Sequence, residues 1–360
     1  MNRKICSVIA GSGSYIPEIV VKNRDFLESE FYDNDGILSE KANDDTVEKF
    51  RQITDIEERR YVPDNLNASD IGYFAALDAL ETSGIDRETL DYIIVAHNFG
   101  DVLAGNRRSD MVPSLASRIK FKLGIENPFT VAYDLPFGCA GWLQGVIHAH
   151  YFIKAGDIKR ALIIGTETLS RISDPHDRDS MIYSDGAGAI ILEAIESEEP
   201  VGVLAHKTRT DTINHAFMLW MDKSFNPNYE GNDLFLKMNG RKLYEYALMT
   251  VPQLIKDSID KAGLTLKDIK KVLIHQANAK MDEAMLSRLF KLYHEKHIPK
   301  GIMPMTINKL GNNSVATLPI LYNLIKKGKI DSKQCEIGDC IVFASVGAGM
   351  NVNSLIYKVV

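Results

Sequence analysis

The sequence predicts an α/β protein built from two similar halves, on three observations. Gly84 to Val95 and Gly263 to Ile274, starting 179 residues apart, share one pattern: a glycine that stops a helical stretch, a short polar link, then a continuous apolar run. Gly138-Cys139 and Gly311-Asn312, 173 residues apart, each open a helical stretch that a later glycine closes, Gly156 in one and Gly328 in the other. Gly156-Asp157 ahead of Ala161-Leu162-Ile163-Ile164 matches Gly338-Asp339 ahead of Ile341-Val342-Phe343-Ala344, at a spacing of 182. Three matches in one order at nearly one spacing indicate duplication. The first half is placed at residues 1–195 and the second at 196–360, with the acidic stretch Glu196 to Pro200 at the join.

The chain has 360 residues, 45% apolar and 25% charged, which is the composition of an ordinary globular protein. Its net charge is −6 and it carries no basic stripe, which argues against a nucleic-acid partner. The longest apolar runs, such as Tyr92 to Ala96, fall far short of the ~20 residues that span a bilayer, so no membrane span is expected. Ile5 to Ala10 breaks at Gly11-Ser12-Gly13 and reads as a first strand, not as a targeting segment. Four cysteines (Cys6, Cys139, Cys335, Cys340) without paired spacing argue against a disulfide framework and suit a reducing, cytoplasmic setting.

Each short apolar run reads as a strand buried on both faces. The helix after Cys139 is apolar nearly all round (Ala140, Trp142, Leu143, Val146, Ile147, Ala149, Tyr151, Phe152, Ile153), so it belongs in the interior. Its counterpart after Asn312 carries the stripe Val315, Leu318, Leu321 or Tyr322, and Ile325. Residues 203–236 show no clear period and read as an insertion or cap. Asn23 to Asp45 is polar and acidic, an excursion on the surface.

Cys139 falls between a strand at Thr130 to Tyr133 and the start of that interior helix. A helix start offers unpaired N–H groups and about half a positive charge, which favours a thiolate. The same position also suits a small buried hydrophobe, and position alone does not decide. Asn312 takes the place of Cys139 in the second half, and pseudo-twofold packing would bring the two helix starts together. His275 ends the strand Val272-Leu273-Ile274, at the carboxyl end where open α/β sheets bind ligands, although a lone histidine there also reads as a core residue. A Cys, His and Asn trio can serve a papain-like hydrolase, with His as base and Asn as its orienter. It can also serve acyl transfer to carbon, with His and Asn donating to the oxygen of an enolate. A duplicated α/β chain with the asparagine at its own helix start suits the second.

At this point the chain resembles the β-ketoacyl-acyl-carrier-protein synthase III group of the thiolase superfamily over almost its whole length. The resemblance rests on Gly11-Ser12-Gly13-Ser14-Tyr15-Ile16-Pro17, Pro113-Ser114, Gly138-Cys139-Ala140-Gly141-Trp142, Ser184-Asp185-Gly186-Ala187-Gly188-Ala189, His275-Gln276-Ala277-Asn278, Gly311-Asn312-Asn313-Ser314 and Val346-Gly347-Ala348-Gly349. It implies a thiolase-like fold of duplicated halves with mixed sheets in αβαβα layers. It implies a ping-pong Claisen condensation in which Cys139 accepts the acyl group and His275 and Asn312 hold a malonyl thioester and its enolate. The backbone amides of Cys139 and Ala348 would form the oxyanion hole. Arg178, Lys280, Val112 and Gly240 fall where the family meets substrate or carrier protein. The implied partners are acyl-carrier protein, acyl-coenzyme A and a second copy of the chain, with no cofactor and no metal beyond the thioester substrates.

Several positions depart from the family pattern. Lys49 stands about where a tryptophan often stacks on coenzyme A, Pro136-Phe137 replaces small residues before the nucleophile, and Glu245 replaces a basic carrier contact. Val112 replaces a phenylalanine that in relatives reaches into the partner's acyl pocket, and the excursion at 28–45 is long. These differences suit a specialised relative, such as those making alkylresorcinol-type lipids. A non-decarboxylative condensation would need a base that the sequence does not identify. A non-catalytic, carrier-binding subunit is the reading from another class.

Overall fold

The computed structural model describes residues 3–330, 332 and 334–360. Its first large sheet runs in the order Lys4–Tyr15, Asp185–Ser197, Arg160–Thr168, Tyr92–His97, Val131–Pro136. The first two junctions are antiparallel and the last two parallel. The second sheet runs Gly202–Thr210, Asn351–Lys358, Cys340–Gly347, Ile269–Ile274, with junctions antiparallel, antiparallel, parallel. The two sheets therefore repeat one pairing scheme. The position of a fifth strand in the second is taken by the segment after Gly301, where Val272 N–H donates to Ile302 C=O at 2.9 Å.

Alternation along the strands explains the layering. In the strand Tyr92–His97, Ile94 and Ala96 face a central layer while Ile93 and Val95 face outward, and all four are fully buried. The central layer holds the helices Gly141–Ala155 and Thr317–Lys326, whose Trp142, Val146, Leu321 and Tyr322 pack between Ile163 of the first sheet and Phe343 of the second. Outside the first sheet lie the helices Ala68–Ser83 and Leu115–Leu123, and outside the second lie Gly240–Lys261 and Ala279–Leu292. The architecture is the five-layered αβαβα arrangement of a thiolase-like fold.

Residues 203–236 divide in two. The part up to Thr210 is the edge strand of the second sheet, and a later hairpin, Leu219–Asp222 with Phe235–Met238, forms a cap. Its anchor is Lys237, fully buried, with its ammonium 2.5 Å from Asp174 Oδ2, 3.5 Å from Asp177 Oδ2 and 3.3 Å from the centre of the Phe225 ring. A reading by hydrophobic period reaches only an insertion or cap here, because the anchor is ionic. The excursion before residue 45 is largely exposed but is pinned by Phe31, which packs on Val47 and Met181.

Lys237→Met strands two buried carboxylates, and unfolding in urea should show a loss of about 3–5 kcal/mol. A loss below about 1 kcal/mol would show that the ion cluster does not hold the cap.

Candidate active site

The strand Val131–Pro136 runs further than the sequence reading placed it, and the chain then turns sharply at Gly138. Gly138 has φ 62°, a left-handed conformation that favours glycine, and Gly311 in the second half has φ 59°. Cys139 and Asn312 each follow such a glycine and precede or join a single 3-10 turn, Gly138–Ala140 in one half and Ser314–Ala316 in the other. The long helices begin after those turns, at Gly141 and Thr317. The duplicated halves thus bring two equivalent turns to one place.

A third segment meets them. A Cβ on Gly347 would lie 2.3 Å from Cys139 N, and one on Gly138 would lie 2.6 Å from Ala348 N. The backbones of the two turns are therefore in contact, and the amides of Cys139 and Ala348 are neighbours. Ser345 Oγ donates to Cys139 C=O at 2.9 Å and fastens the crossing.

Cys139, His275 and Asn312 line one cavity of about 220 Å³, together with Asn98, Tyr183, Ser314, Gly347 and Ala348. The cap closes it with Leu219, Trp220, Met221, Leu236 and Met238. An outer cleft of about 1000 Å³ shares Met238, Leu243, Ala277, Met281 and Asn312 with this cavity, so the site opens to solvent through it. The inner lining contains no carboxylate and no second cysteine among the described residues.

Asn312 is held by its backbone, with N–H donating to Ile182 C=O at 3.0 Å and C=O accepting from Ser184 N–H at 2.9 Å. Its Oδ1 accepts from Ser314 N–H at 2.8 Å, and its Nδ2 has no partner among the described residues. His275 N–H donates to Ala344 C=O at 2.9 Å, and the ring makes no hydrogen bond within the described chain. Gln276 beside it, also buried, accepts from Thr306 and Ile307 N–H and donates to Pro304 C=O, fixing the strand end. Two polar groups are thus positioned by backbone and left open toward the cavity.

Burial sets the electrostatics. The His275 imidazole is pushed down to about 4, so it is neutral at pH 7. The Cys139 thiol is pushed up to about 11, chiefly by removal from water. A hydrogen bond from Ser314 Oγ at 3.4 Å pulls it down in part, while the charge of Glu167 pushes it up. Burial therefore opposes the thiolate that the helix start would favour.

The other expected contacts fall outside the inner cavity. Arg178 and Gly240 line the outer cleft with Lys49, and Lys280 is exposed on the helix Ala279–Leu292. Val112 is 86% exposed and lines neither of these two cavities. Glu245 faces a separate groove with Arg209 and Lys242. The sequence reading assigned no role to Asn98, Glu167 or Ser314. Ser314 lay inside a quoted motif, whereas Asn98 and Glu167 stand at strand ends where sequence carries no signal.

Comparisons place this geometry among known proteins. Residues 133–212 match the family model described as 3-Oxoacyl-[acyl-carrier-protein (ACP)] synthase III, and residues 259–359 match the model of its C-terminal part. The chain is 32% identical over 349 residues to beta-ketoacyl-[acyl-carrier-protein] synthase III 1 of Halalkalibacterium halodurans, covering 96% of each. It is 33% identical over 344 residues to the synthase of the same description from Bacillus anthracis, covering 95% of each. The crystal structure of 3-oxoacyl-[acyl-carrier-protein] synthase III from Aquifex aeolicus superposes with a TM-score of 0.78 at 26% identity, over 98% of this chain and 99% of that one.

A neutral thiol predicts a definite profile. Alkylation of Cys139 by iodoacetamide, followed by peptide mass spectrometry, should rise about tenfold per pH unit between pH 8 and 10. A plateau below pH 8 would show that the thiolate is stabilised after all.

Proposed function

The chain belongs to the 3-oxoacyl-[acyl-carrier-protein] synthase III family, and on that premise we propose that it is an acyltransferase performing a ping-pong, decarboxylative Claisen condensation with Cys139 as its nucleophile. The observation that carries the decarboxylative form is the composition of the inner cavity, which presents one thiol, one imidazole and two carboxamides, of Asn98 and Asn312, and no carboxylate. Condensation by proton removal needs a base, whereas loss of CO₂ creates the enolate without one.

In the first half-reaction Cys139 sulfur attacks the carbonyl of an acyl thioester, a C–S bond forms, and the donor's thiol leaves with the proton. The amides of Cys139 and Ala348 receive the developing oxyanion. In the second, a malonyl thioester loses CO₂. Its enolate carbon attacks the acyl carbon, and the Cys139 sulfur leaves and is reprotonated. His275 is neutral and Asn312 Nδ2 is unpartnered, so each can donate to the enolate oxygen where charge develops. The thioesters supply the reactive groups and side chains of this chain do the rest, which is why we assign no cofactor.

The donor is read as acyl-coenzyme A or an acylated carrier protein, reaching Cys139 through the outer cleft past Arg178 and Gly240. Lys280 is assigned to the carrier, since it is exposed beside that mouth on the same helix as Met281. Val112, Phe121 and Phe129 are each more than 80% exposed, and the open-edged strand Val131–Pro136 follows them. We assign this apolar face to a homodimer, which would carry Val112 to the partner's cavity. No helix among the described residues is long and apolar enough to cross a membrane. We place the enzyme in the cytoplasm.

Cys139→Ala should abolish acylation measured by intact mass, while His275→Ala and Asn312→Ala should acylate normally and lose condensation by at least a hundredfold, about 3 kcal/mol of transition-state stabilisation. Acylation of Cys139→Ala would overturn the assignment. Light scattering should give about twice the 40.2 kDa chain mass, and a monomer at micromolar concentration would remove the role given to Val112.

A further inference from the structure

Behind Cys139, away from the cavity, lies a buried carboxyl that the condensation does not use. Glu167 is fully buried. Its Oε2 accepts two hydrogen bonds from Asn98, from N–H at 3.0 Å and from Nδ2 at 2.6 Å, and its Oε1 is buried without a partner. The same Asn98 Nδ2 reaches Ser314 Oγ at 3.2 Å, and Ser314 Oγ donates to Cys139 Sγ at 3.4 Å. Asn98 and Ser314 line the cavity and Glu167 does not, so it cannot touch a substrate.

The chain of contacts has a sense fixed by chemistry. A carboxylate only accepts, so it turns the Nδ2 of Asn98, not its Oδ1, toward itself and toward Ser314. Ser314 Oγ, accepting from Asn98, must point its hydrogen elsewhere, and the acceptor in reach is the sulfur. Were the amide reversed, the hydroxyl would donate to Asn98 and turn a lone pair to Cys139. Ser314 is also held at φ 52°, a strained conformation for serine. A buried carboxyl oxygen without a partner is costly, and packing alone gives no reason to keep one there. Burial lifts Glu167 to about 7, and His97, whose ring also holds Asp134, and Asp185 are its titratable neighbours. Protonated or ionised, Glu167 keeps an acceptor oxygen on Asn98.

We infer that Glu167 is a positioning residue that, through Asn98, fixes the direction of the Ser314 hydroxyl bond onto the nucleophilic sulfur. This deepens the reading of Cys139 as the nucleophile and rests on it. The test uses the full-length protein, iodoacetamide at pH 8 and peptide mass spectrometry of Cys139, on variants whose melting temperature matches the parent. Ser314→Ala and Asn98→Ala should each slow alkylation about five- to tenfold, and the double variant should be no slower than Ser314→Ala alone. Glu167→Gln keeps an acceptor toward Asn98 and removes the repelling charge, so it should alkylate at least as fast as the parent. Unchanged alkylation in Asn98→Ala, additive losses in the double variant, or a Glu167→Gln as slow as Ser314→Ala would each overturn the relay. Acylation read by intact mass is a separate outcome: a parent protein that alkylates as expected but never acylates contradicts the nucleophile reading, not the relay.

Discussion

The site depends on the contact between two backbone turns, one carrying Gly138 and Cys139 and the other Gly347 and Ala348. Their approach is so close that a Cβ at Gly347 would stand 2.3 Å from Cys139 N. Only backbone without side chains can cross at that distance, and the crossing brings the backbone of both turns to the wall of the inner cavity. The two sheets and the helix layer between them hold that crossing still. Trp142, which follows the nucleophile turn, and Tyr322, in the equivalent helix of the second half, pack on Phe343 of the same strand that ends in Gly347. A site meant to receive charge in the transition state gains from donors already in place, since nothing must reorganise when charge appears.

Removal of water gives the site its character. The cavity presents a neutral thiol and a neutral imidazole, both shifted in the direction burial dictates. An unshifted thiol would ionise more readily, but it would stand in a wetter pocket where an enolate could be quenched by protonation. A pocket lined mostly by apolar side chains strengthens every hydrogen bond offered to the enolate. Ser314 then matters because it is a donor that the sulfur meets inside the protein, in place of the water that burial has removed.

Much of the fold was legible because duplication and burial leave strong marks. Apolar runs such as Ile93 to Ala96 announce strands covered on both faces, and the helix after Cys139 has no polar face to give to solvent. The pairing of Gly138-Cys139 with Gly311-Asn312 pointed to two equivalent turns, and both proved to carry left-handed glycines. The cap was legible only as an aperiodic segment, without its hairpin or its anchor. Its grip on the body is a lysine between two aspartates that are distant in sequence, and such a contact leaves no period. The upward push of burial on the Cys139 thiol was not legible for a related reason. A helix start is visible in a string of residues, whereas the depth of the pocket around it is a property of the whole assembly. Glu167 and Asn98 escaped notice because a polar residue at a strand end looks alike whether it faces solvent or an interior network.

The central claim is that the carbon nucleophile arises by loss of CO₂ in a cavity whose lining offers no carboxylate base. The most direct measurement supplies an acyl donor and a malonyl thioester labelled in its free carboxyl, and counts labelled CO₂ against β-ketoacyl product. The account predicts one CO₂ for each carbon–carbon bond and no product from acetyl or longer acyl thioesters alone. Product formed without CO₂, or from two simple acyl thioesters, would contradict it.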